Sequence, residues 1–356
     1  MNVTRSLALL ALSLTLGLQT LAVQAQSQPL SEAERAEIQS RIESLNSELE
    51  SLHRQLSEGQ RHSAPSSDSL QAAPASQDPD VSPAPEEEEL ASVQERRELE
   101  KESALNPFSI TTHRRNYLLP LTYNLNTNDQ GFSAGDPDRA EVKFQFSAKF
   151  GLVDDFFGDA GGDLYFAYTQ RSWWQAYNTD ASSPFRETNY EPEVFIDFDT
   201  RWSLLGWTNI NNRLGFNHQS NGRSVDQSRS WNRLTLQSTF LNDDWAVTVA
   251  PHWRIPETEA DDDNPDIHHY MGYGDVTVAH RFNTDQEISM LVRGSPRHGN
   301  MGAQLDYSWP LFGNVRGHVQ YYSGYGESLI DYDHRTDRLG IGFSLNPLFS
   351  GNGLDH

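Results

Sequence analysis

The sequence predicts an all-β chain, a twelve-stranded antiparallel transmembrane β-barrel preceded by a short α-helical, coiled-coil-like segment and a disordered linker. Three observations carry this. From about residue 107, apolar and polar residues alternate in segments separated by turn-rich breaks. Hydrophobic residues make up 36% of the chain, yet aromatics reach 11%, the mix expected of a barrel with an oily outer face, a polar lumen and aromatic rims. Beyond the N-terminus no segment is long and apolar enough to span a bilayer as a helix, so strands must do the spanning.

The N-terminus reads as an export signal over residues 1–25. Met1 to Arg5 is a basic n-region, Leu7 to Leu18 is apolar, and Val23-Gln24-Ala25 fits the small-x-small cleavage rule. The apolar run is too short for a membrane anchor and lacks a stop-transfer pattern. Residues 26–58 read as a periplasmic helix. Ser31 and Glu34 resemble a capping box, and Ile38, Ile42, Leu45, Leu49, Leu52 and Leu56 form an a/d seam. Two readings stand: a solvated amphipathic helix, or a coiled coil for self-association or a periplasmic partner. Residues 59–105 are rich in Ser, Pro, Gln, Ala and Glu, with an acidic run from Glu86 to Glu89. Such a stretch cannot bury enough apolar surface to offset its chain entropy and reads as a disordered tether.

Residues 106–356 form the predicted barrel. The clearest strand begins at Val142: Val142, Phe144, Phe146, Ala148, Phe150 and Leu152 share one face, and Lys143, Gln145, Ser147 and Lys149 the other. Similar segments lie near 115–124, 163–176, 189–200, 203–220, 229–241, 245–255, 267–282, 286–294, 301–311, 314–323 and 337–349. The total is about twelve, an even number as bacterial single-chain barrels require. A soluble sandwich or secreted barrel is the alternative. Leu339, Ile341, Phe343 and Leu345, with Phe349 beyond them, favour the membrane form. The absence of cysteine excludes disulfides, thiolate metal sites and a cysteine nucleophile. Fifty acidic residues against 27 basic ones, a net charge of -23, disfavour nucleic acid as a partner.

The stretch Gly215-Phe216-Asn217-His218-Gln219-Ser220-Asn221-Gly222-Arg223, followed by Ser228-Arg229-Ser230-Trp231-Asn232-Arg233, carries the candidate chemistry. Leu214, Phe216, His218 and Ser220 are two residues apart and share one face. Leu214 and Phe216 belong on the lipid side, so His218 and Ser220 must point there too. On the next strand Asn232 is in phase with Leu234, Leu236 and Phe240, while Arg233, Thr235 and Gln237 face the lumen. The short connection lets Asn232 lie beside His218. Three polar side chains left unpaired in oil would cost about several kcal/mol, which argues against a purely structural group. A serine hydroxyl becomes a nucleophile when an adjacent base takes its proton. His218 is that base, and the Asn232 amide oxygen can fix its tautomer. The Gly222 backbone N–H can help stabilise an oxyanion.

This stretch resembles the outer membrane phospholipase A family. The similarity runs from Asn106-Pro107-Phe108 to Leu348-Phe349. It includes Tyr168-Thr169-Gln170-Arg171-Ser172-Trp173-Trp174-Gln175, Ser182 to Pro192, Asp263-Asn264-Pro265-Asp266-Ile267 and Tyr322 to Tyr332. The resemblance implies calcium-dependent hydrolysis of phospholipid acyl esters at either position, with activation by dimerisation. It maps the catalytic trio onto Ser220, His218 and Asn232, and the calcium ligands onto the Ser228 side chain, the Arg223 carbonyl and the partner subunit's Ser182. Such oxygen ligands suit Ca2+. Gln170, in phase with Leu164, Phe166 and Tyr168, maps to the dimer contact of a homodimer. Three departures stand out. Val225, with Asp226 next, replaces an expected acidic residue two positions after Arg223, which weakens or moves a secondary calcium site. Ser350 to His356 extend past Phe349, and the helix and tether lie outside the family's core pattern. The alternative function is a non-catalytic outer-membrane pore or anchor with a periplasmic coiled-coil partner. Inward Arg233, Lys143, Lys149, Asp197 and Asp199 would plug such a pore with ion pairs.

Overall fold

A computed structural model describes residues 111–345, apart from 130–131, 133–134, 259–260 and 283–284. The expected signal peptide, helix and tether, Phe349 and the Ser350 to His356 extension lie outside the described residues.

Within that range the chain forms one closed antiparallel sheet. Its strands are β1 (Thr111–Thr112), β2 (Asn116–Asn124), β3 (Ala140–Val153), β4 (Asp163–Trp174), β5 (Phe185–Leu204), β6 (Trp207–Ser220) and β7 (Ser230–Asn242). They continue with β8 (Trp245–Arg254), β9 (Gly274–Arg281), β10 (Glu287–Ser295), β11 (Asn300–Phe312), β12 (Val315–Gly324) and β13 (Thr336–Leu345). Each strand from β2 to β13 pairs with its sequence neighbours, and β2 pairs with β13 to close the ring. The two-residue β1 runs along β3 in line with β2, so the barrel has twelve staves, the first one interrupted.

Period-two alternation sets the two faces. On β3 the side chains of Lys143, Gln145, Ser147 and Lys149 are buried in the lumen, while Phe146 and Leu152 are about half exposed on the outside. The outer belt continues through Leu214, Phe216, Leu234, Leu236, Leu339, Ile341 and Phe343, all exposed apolar residues. A broad oily band on a closed sheet is a lipid-facing surface. The phase slips once on β2. Leu118 and Leu121 both face outward, three residues apart, because the ladder bulges between Leu119 and Thr122. Pro120, which has no N–H to give, sits in that bulge. A Cβ on Gly342 opposite would lie 2.2 Å from the Leu118 carbonyl, so the closing seam requires glycine there.

The lumen is filled rather than open. Lys143 Nζ contacts Glu327 (2.9 Å), Arg338 contacts Glu141 (2.6 Å) and Glu327 (3.0 Å), and Arg186 bridges Glu141 (2.5 Å) and Asp331 (2.8 Å). Arg114 and Arg233 share Glu191, each at 2.9 Å, and Arg213 pairs with Asp197 at 2.8 Å. A cavity of about 90 Å³ remains beside Arg171, Arg233 and Arg293. Asp331 lies in the β12–β13 loop. Burial would raise its carboxyl, but Arg186 holds it below the usual carboxylate range.

Two strand expectations need correction. The segment 267–282 is not all strand, because Ile267–Met271 forms a short helix, α1, before β9 begins. Ile267 and Met271 are four residues apart, so both fall on one helical face, where they pack against Trp231, Leu329 and Tyr332. The break expected between residues 200 and 203 falls at Leu205-Gly206 instead. Both have positive φ (54° and 83°), the two-residue hairpin geometry that matches strand twist. The β5–β6, β7–β8 and β11–β12 turns at that end are two residues long, while long loops crowd the other end. This is the asymmetry of outer-membrane barrels, short on the periplasmic side and long outside.

Candidate active site

His218 and Asn232 are directly opposite one another across the β6–β7 ladder, and Ser220 lies opposite Ser230 on β7 and Tyr190 on β5. Cross-strand partners project to the same face. That face is the outer one: Phe216 and Leu234, the residues next in phase, are 44% and 42% exposed, whereas Asn217, Gln219, Trp231 and Arg233 are buried in the lumen. His218 Nδ1 is 2.9 Å from Asn232 Oδ1. An amide oxygen accepts, so Nδ1 carries the proton and the Nε2 lone pair is left for another partner. Among the described residues the Ser220 hydroxyl makes no hydrogen bond, to His218 or to any other group. Nucleophile–base contacts are often loose before substrate binds.

The β6–β7 connection is held by the buried Asn221. Its side-chain oxygen accepts from the N–H groups of Arg223 (3.3 Å) and Arg229 (3.0 Å), and its amide donates to the Gln227 carbonyl (2.8 Å). Gly222 follows in the left-handed region, φ 64°, with Tyr190 positioned 3.1 Å from where a Cβ would stand. Arg223 turns its guanidinium away: Nε pairs with Glu187 at 3.2 Å, and the terminal nitrogens donate to Gln227 and the Arg186 carbonyl. Any metal contact from Arg223 therefore falls to its backbone.

Ser228 Oγ donates to Asp263 Oδ2 at 2.6 Å. This hydroxyl beside a carboxylate is a hard-oxygen donor pair, so the residues present fit calcium. Among the described residues no cluster of three or more His, Cys, Asp or Glu side chains could hold a metal ion. A calcium site would therefore lean on hydroxyl and carbonyl oxygens as well as Asp263. Ser182 stands apart on the exposed β4–β5 loop with φ 60°, its N–H donating to Thr179 at 3.2 Å. Gln170 is half-buried on the outer face of β4. It accepts from the Tyr168 hydroxyl and donates to Ser172 Oγ, both at 3.2 Å, and Ser172 meets Thr188 at 3.1 Å. A string of polar groups thus crosses the oily wall beside the site.

Two residues were missed by the sequence reading. Asp263 lies in a recognised block, but nothing in the alternation gave it a role; the β8–β9 loop brings it to Ser228, and Asn264 beside it accepts from the Ser230 N–H at 2.9 Å. Glu257, in the same loop, accepts from Asn232 Nδ2 at 2.8 Å. No motif or periodicity signals it, because loop residues carry neither.

Comparison with known proteins agrees with this architecture. The Phospholipase A1 family model matches residues 93–345. The chain is 42% identical over 248 residues to Phospholipase A1 of Klebsiella pneumoniae, covering 68% of this chain and 85% of the relative. The same identity holds for Phospholipase A1 of Escherichia coli K12, covering 68% and 84%. Among solved structures, outer membrane phospholipase A from Escherichia coli is similar at TM-score 0.64 and 41% identity, covering 68% of this chain and 93% of that one. The Salmonella typhi outer membrane phospholipase dimer with bound calcium matches with the same values. Another Escherichia coli structure, at TM-score 0.64 and 40% identity, is of an active-site mutant with an asparagine replaced by alanine. The chain belongs to the outer membrane phospholipase A family.

Proposed function

We propose that this phospholipase, an ester hydrolase of the bacterial outer membrane, is calcium-dependent and activated by dimerisation. It cleaves both acyl esters of phospholipids, and lysophospholipids, through Ser220, His218 and Asn232. The observation that carries the reading is the His218–Asn232 hydrogen bond of 2.9 Å on the lipid-facing wall, with Ser220 two residues along the same strand face. Acyl chains in the membrane reach that wall, whereas the lumen is filled by ion pairs. The active-site asparagine mutant of the Escherichia coli relative supports the role given to Asn232.

In this mechanism Ser220 Oγ attacks the acyl carbonyl while His218 Nε2 takes its proton. The Asn232 oxygen holds Nδ1–H and favours the imidazolium that forms. The Gly222 N–H meets the developing oxyanion, and a positive-φ turn leaves this amide close to the substrate. His218 then passes its proton to the departing alkoxide of the lysophospholipid, and water enters by the reverse sequence to release the fatty acid and restore the Ser220 hydroxyl. Ser228 Oγ, the Arg223 carbonyl and Ser182 of the partner subunit would hold calcium, with Asp263 beside them. When bound, the ion supplies positive charge near the oxyanion. Dimerisation would supply Ser182 and pair the Gln170 strings, as the calcium-bound dimer of the Salmonella typhi relative suggests.

The test is fatty acid release from phospholipid micelles by detergent-refolded protein. S220A should lose at least about 10³-fold in kcat, and H218A about 10²- to 10⁴-fold. Excess chelator should abolish turnover by wild type. Undiminished turnover by S220A would remove the serine from its role, and full turnover in chelator would remove calcium.

A further inference from the structure

We propose that Glu257 is a positioning residue of this site: its carboxylate orients the Asn232 amide and, through it, fixes which nitrogen of His218 carries the proton. The inference rests on the Ser220–His218–Asn232 reading given above. An ionised carboxylate only accepts hydrogen bonds. The Asn232 atom 2.8 Å from Glu257 Oε1 must therefore be Nδ2, and Oδ1 is turned toward His218 Nδ1, 2.9 Å away. That orientation requires Nδ1–H and leaves Nε2 free to take the Ser220 proton. An amide without this anchor can flip and present its NH2 to Nδ1. Nδ1 would then accept, Nε2 would hold the proton, and the base would be disabled.

Glu257 is held in place by the backbone. The Ile255 N–H donates to the Asn232 carbonyl at 2.8 Å, tying the start of the β8–β9 loop to β7. Pro256 fixes φ between that tie and Glu257. The second carboxylate oxygen, Oε2, is buried without a hydrogen-bond partner. An ion pair therefore does not explain the residue, and its polar contact among the described residues is the Asn232 amide. The arrangement also accounts for asparagine rather than aspartate at position 232. With a carboxylate one shell further out, a neutral amide can relay it to the imidazolium, whereas an aspartate would face Glu257 as a like charge.

Kinetics on phospholipid micelles with calcium can separate these roles. E257A should lose kcat by about 10- to 100-fold with little change in KM, the usual scale for removing a group that orients a functional side chain. E257Q should lose less than E257A, because its amide oxygen can still accept from Asn232 Nδ2. N232D should fall below E257Q, and N232D/E257Q should recover about 10-fold over N232D as the carboxylate repulsion is removed. A purely structural role for Glu257 gives no such rescue. Heat-modified gel mobility verifies that each barrel has folded. E257A with wild-type kcat, or N232D/E257Q no better than N232D, would overturn the proposal. S220A is run alongside: an inactive S220A together with either of those results removes Glu257 alone, while an active S220A removes the serine mechanism itself.

Discussion

At the scale of the residue, the site depends on which way each polar atom points. In the proposed mechanism His218 can act as a base because an amide oxygen occupies Nδ1. N232A should therefore keep a folded barrel yet lower kcat, by less than H218A does, since imidazole can still reach the productive tautomer part of the time. Gly222 is the second residue with a local constraint. Its φ of 64° and the Tyr190 ring at 3.1 Å leave little room for a side chain. G222A should cost about 1 kcal/mol of stability from the left-handed backbone alone, and should lower kcat more than KM if its N–H meets the oxyanion; equal kcat in G222A and wild type would exclude that role. His218, Ser220 and Asn232 were all legible in the sequence because strand parity needs nothing but spacing. Glu257 and Asp263 were not, because they reach the site from the β8–β9 loop, where strand parity gives no signal.

At the scale of the element, the β6–β7 hairpin is the working unit. Strand pairing puts His218 opposite Asn232, and Asn221 folds the connection so that Gly222, Arg223 and Ser228 follow in a tight loop. N221A would remove three hydrogen bonds from a buried side chain. At about 1 kcal/mol each, it should destabilise the loop, raise the calcium concentration needed for half-maximal activity, and leave barrel formation intact. Unchanged calcium dependence in N221A would separate this loop from the metal site. Eleven of the twelve expected strands begin within four residues of an observed one. The departures have physical causes. In 267–282, two apolar residues at helical spacing sat inside a window read for alternation, and α1 resulted. On β2, the bulge at Pro120 shifts the phase, which no fixed period can follow.

At the scale of the whole molecule, an oily outer wall surrounds a lumen wired with charge. Glu327, from the β12–β13 loop, is the hub. Burial would raise its carboxyl above 4.5, but Arg338 and Lys143 pull it down to about 2. A carboxyl lowered on folding contributes stability that is present above its ordinary value and is lost as pH falls through the lowered one. The thermal midpoint of the refolded barrel should therefore fall as pH drops from about 4.5 to about 2. E327Q should flatten that fall and cost about 3–5 kcal/mol at neutral pH, since it leaves the buried Lys143 without its carboxylate partner and Arg338 with Glu141 alone. An unchanged midpoint in E327Q would contradict this role. The same filled lumen predicts no large steady single-channel conductance in a planar bilayer.

The proposed mechanism puts a serine nucleophile, Ser220, on the membrane-facing side of β6. The most direct test is covalent capture: wild-type protein in calcium is treated with a long-chain alkyl sulfonyl fluoride, and the adduct is located by mass spectrometry. The account predicts a single stoichiometric adduct on Ser220, strongly slowed in H218A and absent in S220A. An adduct on a different serine, or labelling that proceeds equally well without His218, would contradict it.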